Sequence, residues 1–146
     1  MRVDDINNVD PKPVIAVYSF GTKSVGPRPQ AQFEFNLSSM RDPTGQKQFA
    51  GEKDGRSAKV RQWVAEDDRV PGIISLCRML ADDLIKPKTR STGVSTVIQP
   101  VSAWLSISFG DFHGKWAAPA VAEIVADALS DDDYVIAVKH FSLLGK

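Results

Sequence analysis

Residues 103–138 read AWLSISFGDFHGKWAAPAVAEIVADALSDDDYVIAV, and this stretch decides the fold. Its first part, Ala103-Trp104-Leu105-Ser106-Ile107-Ser108-Phe109, predicts a strand. Gly110 to Lys115 reads as a tight loop. From Pro119 to Leu129, the residues Val121, Ala122, Ile124, Val125, Ala128 and Leu129 recur at helical spacing. Pro119 suits a first helical turn, where the N–H it lacks would have no intrahelical partner. Ser130 and Asp131-Asp132-Asp133 end the helix. Tyr134 to Val138 is a closing strand, followed by Lys139 and His140. Strand, helix and strand in this order form a βαβ unit, with parallel strands and a right-handed crossover.

Working towards the N-terminus, Gly72 to Lys86 predicts a second helix. Ile73, Ile74, Cys77, Leu80, Ala81, Leu84 and Ile85 form its apolar stripe, and Pro87 stops it. Cys77 lies on that stripe, so packing explains it better than reactivity. Residues 86–102 are a polar connector rich in Ser and Thr. Ser57 to Ala65 predicts a short helix with Val60, Trp63 and Val64 on one face. Residues 38–57 form a long loop, punctuated by Asp42-Pro43-Thr44-Gly45, Gly51 and Gly55. Phe33, Phe35 and Leu37 alternate with Glu34 and Asn36, the mark of a half-buried strand. Gly26-Pro27-Arg28-Pro29 enforces a turn or extended chain. Val14 to Phe20, ending at Gly21, is a buried strand. The fold class is therefore α/β, a small, mostly parallel sheet flanked by helices. Residues 1–13 are expected to be a flexible arm, and 14–146 a single domain.

Composition narrows the function. The 146 residues hold 18 Lys plus Arg against 18 Asp plus Glu, which excludes a generally basic chain. The single cysteine excludes a disulfide framework, and two histidines leave little for a metal site. No apolar run approaches the ~20 residues of a membrane span. The polar, acidic N-terminus does not read as a signal peptide. A cytoplasmic protein is expected, with no cofactor, no metal and no membrane partner.

In open α/β sheets, ligands bind beyond the carboxyl ends of the strands. The loop Gly110-Asp111-Phe112-His113-Gly114-Lys115 stands at such an end and feeds a helix N-terminus, where backbone N–H groups and the helix dipole favour an anion. Gly110 and Gly114 would let the backbone approach a phosphate. Lys115 adds a positive charge, and His113 a donor that titrates near neutrality. Asp111 works against an anion unless it faces a metal, a sugar hydroxyl or a basic neighbour. The spacing is one residue short of a P-loop, and Trp116 stands where that motif needs Ser or Thr. The bland alternative is that the glycines merely make a turn. The basic residues from Arg41 to Arg61 are either a solvated surface or a lip beside an anion site. No nucleophile elbow is present, and Asp131-Asp132-Asp133 reads as solvated loop rather than a metal site.

Several segments together resemble the C-terminal domain of RapZ, the bacterial RNase adapter protein family. The family's first strand ends in S-F-G-x-K, and Ser19-Phe20-Gly21-Thr22-Lys23 stands in that place. Pro29 and Ala31 to Ser38 stand for its second strand, and Arg41-Asp42-Pro43-Thr44-Gly45 matches an R-x-x-T-G element. Gly110 to Pro119, followed by Ala122-Glu123, stands for G-C-T-G-G-x-H-R-S-V and its helix. Val138-Lys139-His140-Phe141 stands for the closing strand. The departures are Asp111 in place of Cys, Trp116-Ala117 in place of His-Arg, and Ser38 in place of an Arg. His113 and Arg41 could substitute for the lost pair. The resemblance implies an α/β fold like part of phosphofructokinase, oligomer formation, small-RNA binding, and sensing of a phosphorylated amino sugar by the Gly-rich loop and basic residues. The family's nucleotide-binding P-loop domain is not expected among these residues, so NTPase activity is not expected to carry over.

The reading that follows is a non-catalytic regulatory domain that binds a phosphorylated small molecule or structured RNA. Its ligand-binding residues would be Lys23, Arg41, Gly110, Asp111, Phe112, His113, Gly114, Lys115 and His140, in a chain expected to form a homo-oligomer. The alternatives are a protein–protein adapter with a decayed pocket and, less favoured, a phosphate-ester enzyme using His113 and Asp111 as acid and base.

Overall fold

In the computed structural model, chain order runs β1 (Val14–Gly21), β2 (Phe33–Asn36), α1 (Ala58–Ala65), α2 (Val70–Leu84), β3 (Thr89–Ser91), β4 (Thr96–Ile98), β5 (Trp104–Asp111), α3 (Ala117–Leu129) and β6 (Val135–His140). Single 3-10 turns lie at Lys47–Phe49 and Phe141–Leu143. The structure describes residues 12–24, 26–85, 89–91, 96–98 and 104–143. The expected arm therefore falls almost wholly outside the described residues, as does Pro87.

The sheet has the order β2-β5-β1-β6, and every pairing in it is parallel. β5 and β6 are parallel, as the βαβ pattern predicts, but β1 lies between them. Alternation of side chains sorts the sheet into two faces. Ile15, Val17, Leu105, Ile107, Phe109 and Ile136 share the core with residues of all three helices. Phe35 stacks on Phe109 at 5.2 Å in the same layer. On the opposite face, the Arg28 guanidinium stands 4.6 Å from the centre of the Phe20 ring. There Gln32 donates its N–H to Ser106 Oγ and accepts the Ser106 N–H on Oε1, both at 2.8 Å.

α3 packs on the sheet, and α1 and α2 pack on α3. Ala117, Ala118, Ala120, Ala122 and Ala126 are all buried. Their small side chains let neighbours approach α3 closely on several sides. α1 begins as its sequence predicts, with Ser57 Oγ accepting the Val60 N–H. α2 starts at Val70, two residues before Gly72, because Pro71 fits its first turn. α3 likewise starts at Ala117 rather than at Pro119. Cys77 is buried, and that burial pushes its thiol pKa up to about 12, which suits a packing role.

The polar connector is not wholly irregular. β3 and β4 pair antiparallel, with Thr89 opposite Ile98 and Ser91 opposite Thr96. β-branched Thr, Val and Ile favour such pairing, and this was the signal hidden among the serines. Among the described residues, no helix is long and apolar enough to cross a membrane.

Candidate functional site

β5 delivers Asp111 to the carboxyl edge of the sheet, and the chain then turns through Phe112 to Trp116 into α3. The Asp111 side chain folds back onto this turn. Its Oδ1 accepts the Gly114 N–H, and its Oδ2 accepts the Ala118 N–H at 3.0 Å. Pro119 has no N–H, and the Ala120 N–H reaches Trp116 O at 3.1 Å. The positive end of the α3 dipole is thus faced by the protein's own carboxylate. The sequence pointed to bare amides awaiting an external anion; here Asp111 fills that place. The partners of Asp111 are backbone N–H groups, not the metal, sugar or basic neighbour weighed from sequence.

Two glycines close the crevice between β1 and β5. Gly114 has a φ of +66°, and a Cβ there would lie 2.5 Å from Gly21 N. A Cβ on Gly21 would lie 2.4 Å from the His113 carbonyl carbon. With no side chains between them, the two segments go on pairing past the strand ends. Thr22 N–H donates to Asp111 O at 2.7 Å, and Lys23 N–H to Phe112 O at 2.9 Å. Ser142 Oγ accepts the Gly21 N–H at 2.8 Å. Gly110 is spaced for a different reason: a Cβ would strike the Phe20 ring.

On the β2 side the edge stays open. A shallow cleft, open to solvent, lies between residues 37–44 and residues 111–117. Leu37, Ser38, Met40, Arg41, Asp42 and Thr44 form one wall; Asp111, Phe112, His113, Trp116 and Ala117 form the other. Arg41 is held from behind. Its guanidinium lies 4.0 Å from the centre of the Trp63 ring, and Nη1 donates to Trp63 O at 3.2 Å. Its backbone N–H donates to Asp67 Oδ2 at 3.3 Å. The Arg69 backbone N–H holds the Asp67 pKa below the usual carboxylate range, partly opposed by burial and helped by the Arg41 N–H. Thr44 Oγ1 donates to Asp42 Oδ1 at 2.6 Å.

Of the nine residues singled out from sequence, Arg41, Asp111, Phe112 and His113 meet at this cleft. His113 is exposed, and its carbonyl accepts from Ser24 Oγ at 3.1 Å. Lys23 stands over Phe112, with Nζ 4.8 Å from the ring centre. Lys115 lies over Trp116 at 5.0 Å and lines a neighbouring cleft instead. Gly110 and Gly114 serve packing. His140 is elsewhere: Ser19 Oγ lies 2.6 Å from its Nδ1, and Glu123 Oε1 lies 3.0 Å from its Nε2. Ser19 is fully buried, so this chain of groups ties β1, β6 and α3 together.

Ser38, Trp116 and Ala117, marked in the sequence only as departures from the family pattern, line the cleft, whereas Ser19 and Glu123 as partners of His140 went unsignalled. The three arginines of the basic lip are paired within the fold. Arg41 meets Glu66, Arg56 meets Asp54, and Arg61 meets Asp127. Burial alone would raise the Asp54 pKa, but bonds from the Arg56 guanidinium and N–H outweigh it and hold the carboxyl below its usual range. The same pair raises the Arg56 pKa.

A parallel sheet with a cleft at its carboxyl edge, and with Asp111 accepting from backbone N–H groups at the N-terminus of α3, defines an α/β domain. A family model for the RapZ C-terminal domain matches residues 13–143, and the chain belongs to that family. Membership supports a regulatory or binding role. No curated protein matches the chain.

Proposed function

We propose that this chain is a non-catalytic regulatory domain that binds a phosphorylated small molecule, or an RNA phosphate, in the cleft between β2 and the 112–116 loop. Arg41 and His113 are its contacts. One observation carries this reading: Arg41 and His113 line the same cleft, while Asp111 occupies the helix N-terminus. An anion must therefore be held by side chains. A guanidinium fixed from behind is a good partner for phosphate, because little ordering remains to be done on binding.

The chain departs from the family pattern at Ser38, Asp111, Trp116 and Ala117, and all four line the cleft. That supports a ligand different from the family's amino sugar. It also favours a second reading, a protein–protein adapter, since Asp42 and Asp111 both disfavour an incoming anion.

Titration calorimetry with inorganic phosphate and with a hexose phosphate decides between them. The expected result is binding that His113→Ala weakens by about tenfold, equivalent to roughly 1.4 kcal/mol. The far-ultraviolet circular dichroism should stay unchanged. A gel shift of structured RNA that fades with salt would assign the phosphate to RNA. No heat and no shift would leave the adapter.

A further inference from the structure

β2 is an edge strand: among the described residues its one neighbour in the sheet is β5. Leu37 N–H reaches Gly110 O, so Phe35 and Leu37 turn their backbone groups towards β5. Alternation then turns the N–H and C=O of Glu34 and Asn36 outward. A strand edge of this kind is a template for another extended chain. The Asn36 side chain is engaged locally, its Oδ1 accepting the Ser38 N–H at 2.9 Å. The Glu34 carboxylate lies 3.5 Å from Arg28, on the sheet face away from α2.

Beside this edge runs an apolar groove between β2 and the first half of α2. Phe35 and Leu37 form one wall; Gly72, Ile73 and Leu76 form the other. Arg69, Gly72, Ile73 and Leu76 are spaced so that they share one helix face. Leu76 is 50% exposed, and a Cβ on Gly72 would meet nothing within 4 Å. Gly72 thus weakens the helix and leaves room in the groove. Arg69 is the one charged residue among those lining it. Its Nη1 donates to Ser39 O at 2.6 Å, which fixes the guanidinium at the rim, and its only ion pair is a long 3.9 Å contact with Asp67. We infer that β2 and α2 together dock an extended peptide segment of another protein, with apolar side chains at alternate positions and a carboxylate where it passes Arg69. The segment adds a fifth strand to the sheet. Its backbone pairs with Glu34 and Asn36, every second side chain enters the groove, and the carboxylate meets the guanidinium. Glu34 and Asn36 do not line the phosphate cleft, so this reading and the ligand reading can fail separately.

Backbone amide NMR on the full chain tests it. The probe is a pool of capped hexapeptides Thr-X-Thr-X-Thr-Glu, with X leucine, isoleucine, valine or phenylalanine, so that both X and the glutamate share one face. The Glu34 and Asn36 amides should shift, and their hydrogen exchange should slow about tenfold. Gly72→Leu favours the helix but fills the groove. It should weaken binding about tenfold with near-ultraviolet circular dichroism unchanged. A pool ending in lysine should bind more weakly, and Arg69→Glu should reverse that preference. No shift at millimolar peptide overturns the proposal. So does binding indifferent to Gly72→Leu or to the charge of the last residue. A shift of the same amides on raising the protein concentration alone would seat a second copy there and overturn it too.

Discussion

β5 has a neighbour on each side, and the two junctions end differently at the carboxyl edge. Towards β1 the backbone keeps pairing beyond the strands, through Thr22 and Lys23 to Asp111 and Phe112. Towards β2 the pairing ends as Leu37 N–H reaches Gly110 O at 2.7 Å, and the chain then turns away through Met40 and Arg41. The first junction is sealed and the second holds the cleft. Fold topology offers a crevice at the strand ends, but local chemistry decides whether it survives. Glycine on both facing segments closes it; bulky side chains on both walls keep it open.

The largest effect should come from breaking the seal. Gly114→Ala places a Cβ on a left-handed residue, 2.5 Å from Gly21 N. A cost of about 3 kcal/mol or more is expected in denaturant melts, from backbone strain plus overpacking. A loss under about 1 kcal/mol would mean that the junction relaxes easily and that the contrast between the two sides is shallow.

Next comes the carboxylate shared by both sides. Asp111→Ala leaves the Gly114 and Ala118 N–H groups without their acceptor, at a cost of about 2 kcal/mol. It also removes a negative charge from the cleft wall. Affinity for inorganic phosphate should therefore rise even as stability falls. If calorimetry showed both falling together, Asp111 would be shaping the site rather than filling it.

The smallest effect lies on the outer flank, where Gly55 N–H donates to Lys115 O at 2.8 Å. The neighbouring Asp54 is paired with Arg56 at 2.8 Å. Because the folded Asp54 pKa is depressed, its contribution to stability is present above the ordinary carboxylate value of about 4 and is lost as pH falls through the folded value. Arg56→Met should cost about 1 kcal/mol or less at neutral pH, since the arginine is more than a third exposed. Its acid limb should be flatter than that of the wild type. An unchanged limb would show that the loop is held without this pair.

Periodicity made the scaffold readable. The alternation at Phe33 to Leu37, the apolar run at Val14 and the stripes of α2 and α3 each mark an element that is present. Strand order was not readable, because nothing local to β1 says that β5 and β6 will flank it. The cleft was half readable. His113 and Arg41 announce themselves as polar residues beside glycine-marked loops. Asp111 does not announce that it will cap α3, since that depends on the angle at which the chain leaves β5. The tie between Ser19 and His140 spans 121 positions and leaves no trace in either neighbourhood.

β1 lies at residues 14–21, yet both of its neighbours come from residues 104–140. During synthesis this central strand leaves the ribosome first and finds its last partner only when β6 emerges. Long-range parallel pairing of this kind folds slowly. Until then Val14 to Gly21 is an apolar strand with unsatisfied edges, the kind of segment that chaperones shield and that aggregates when they do not.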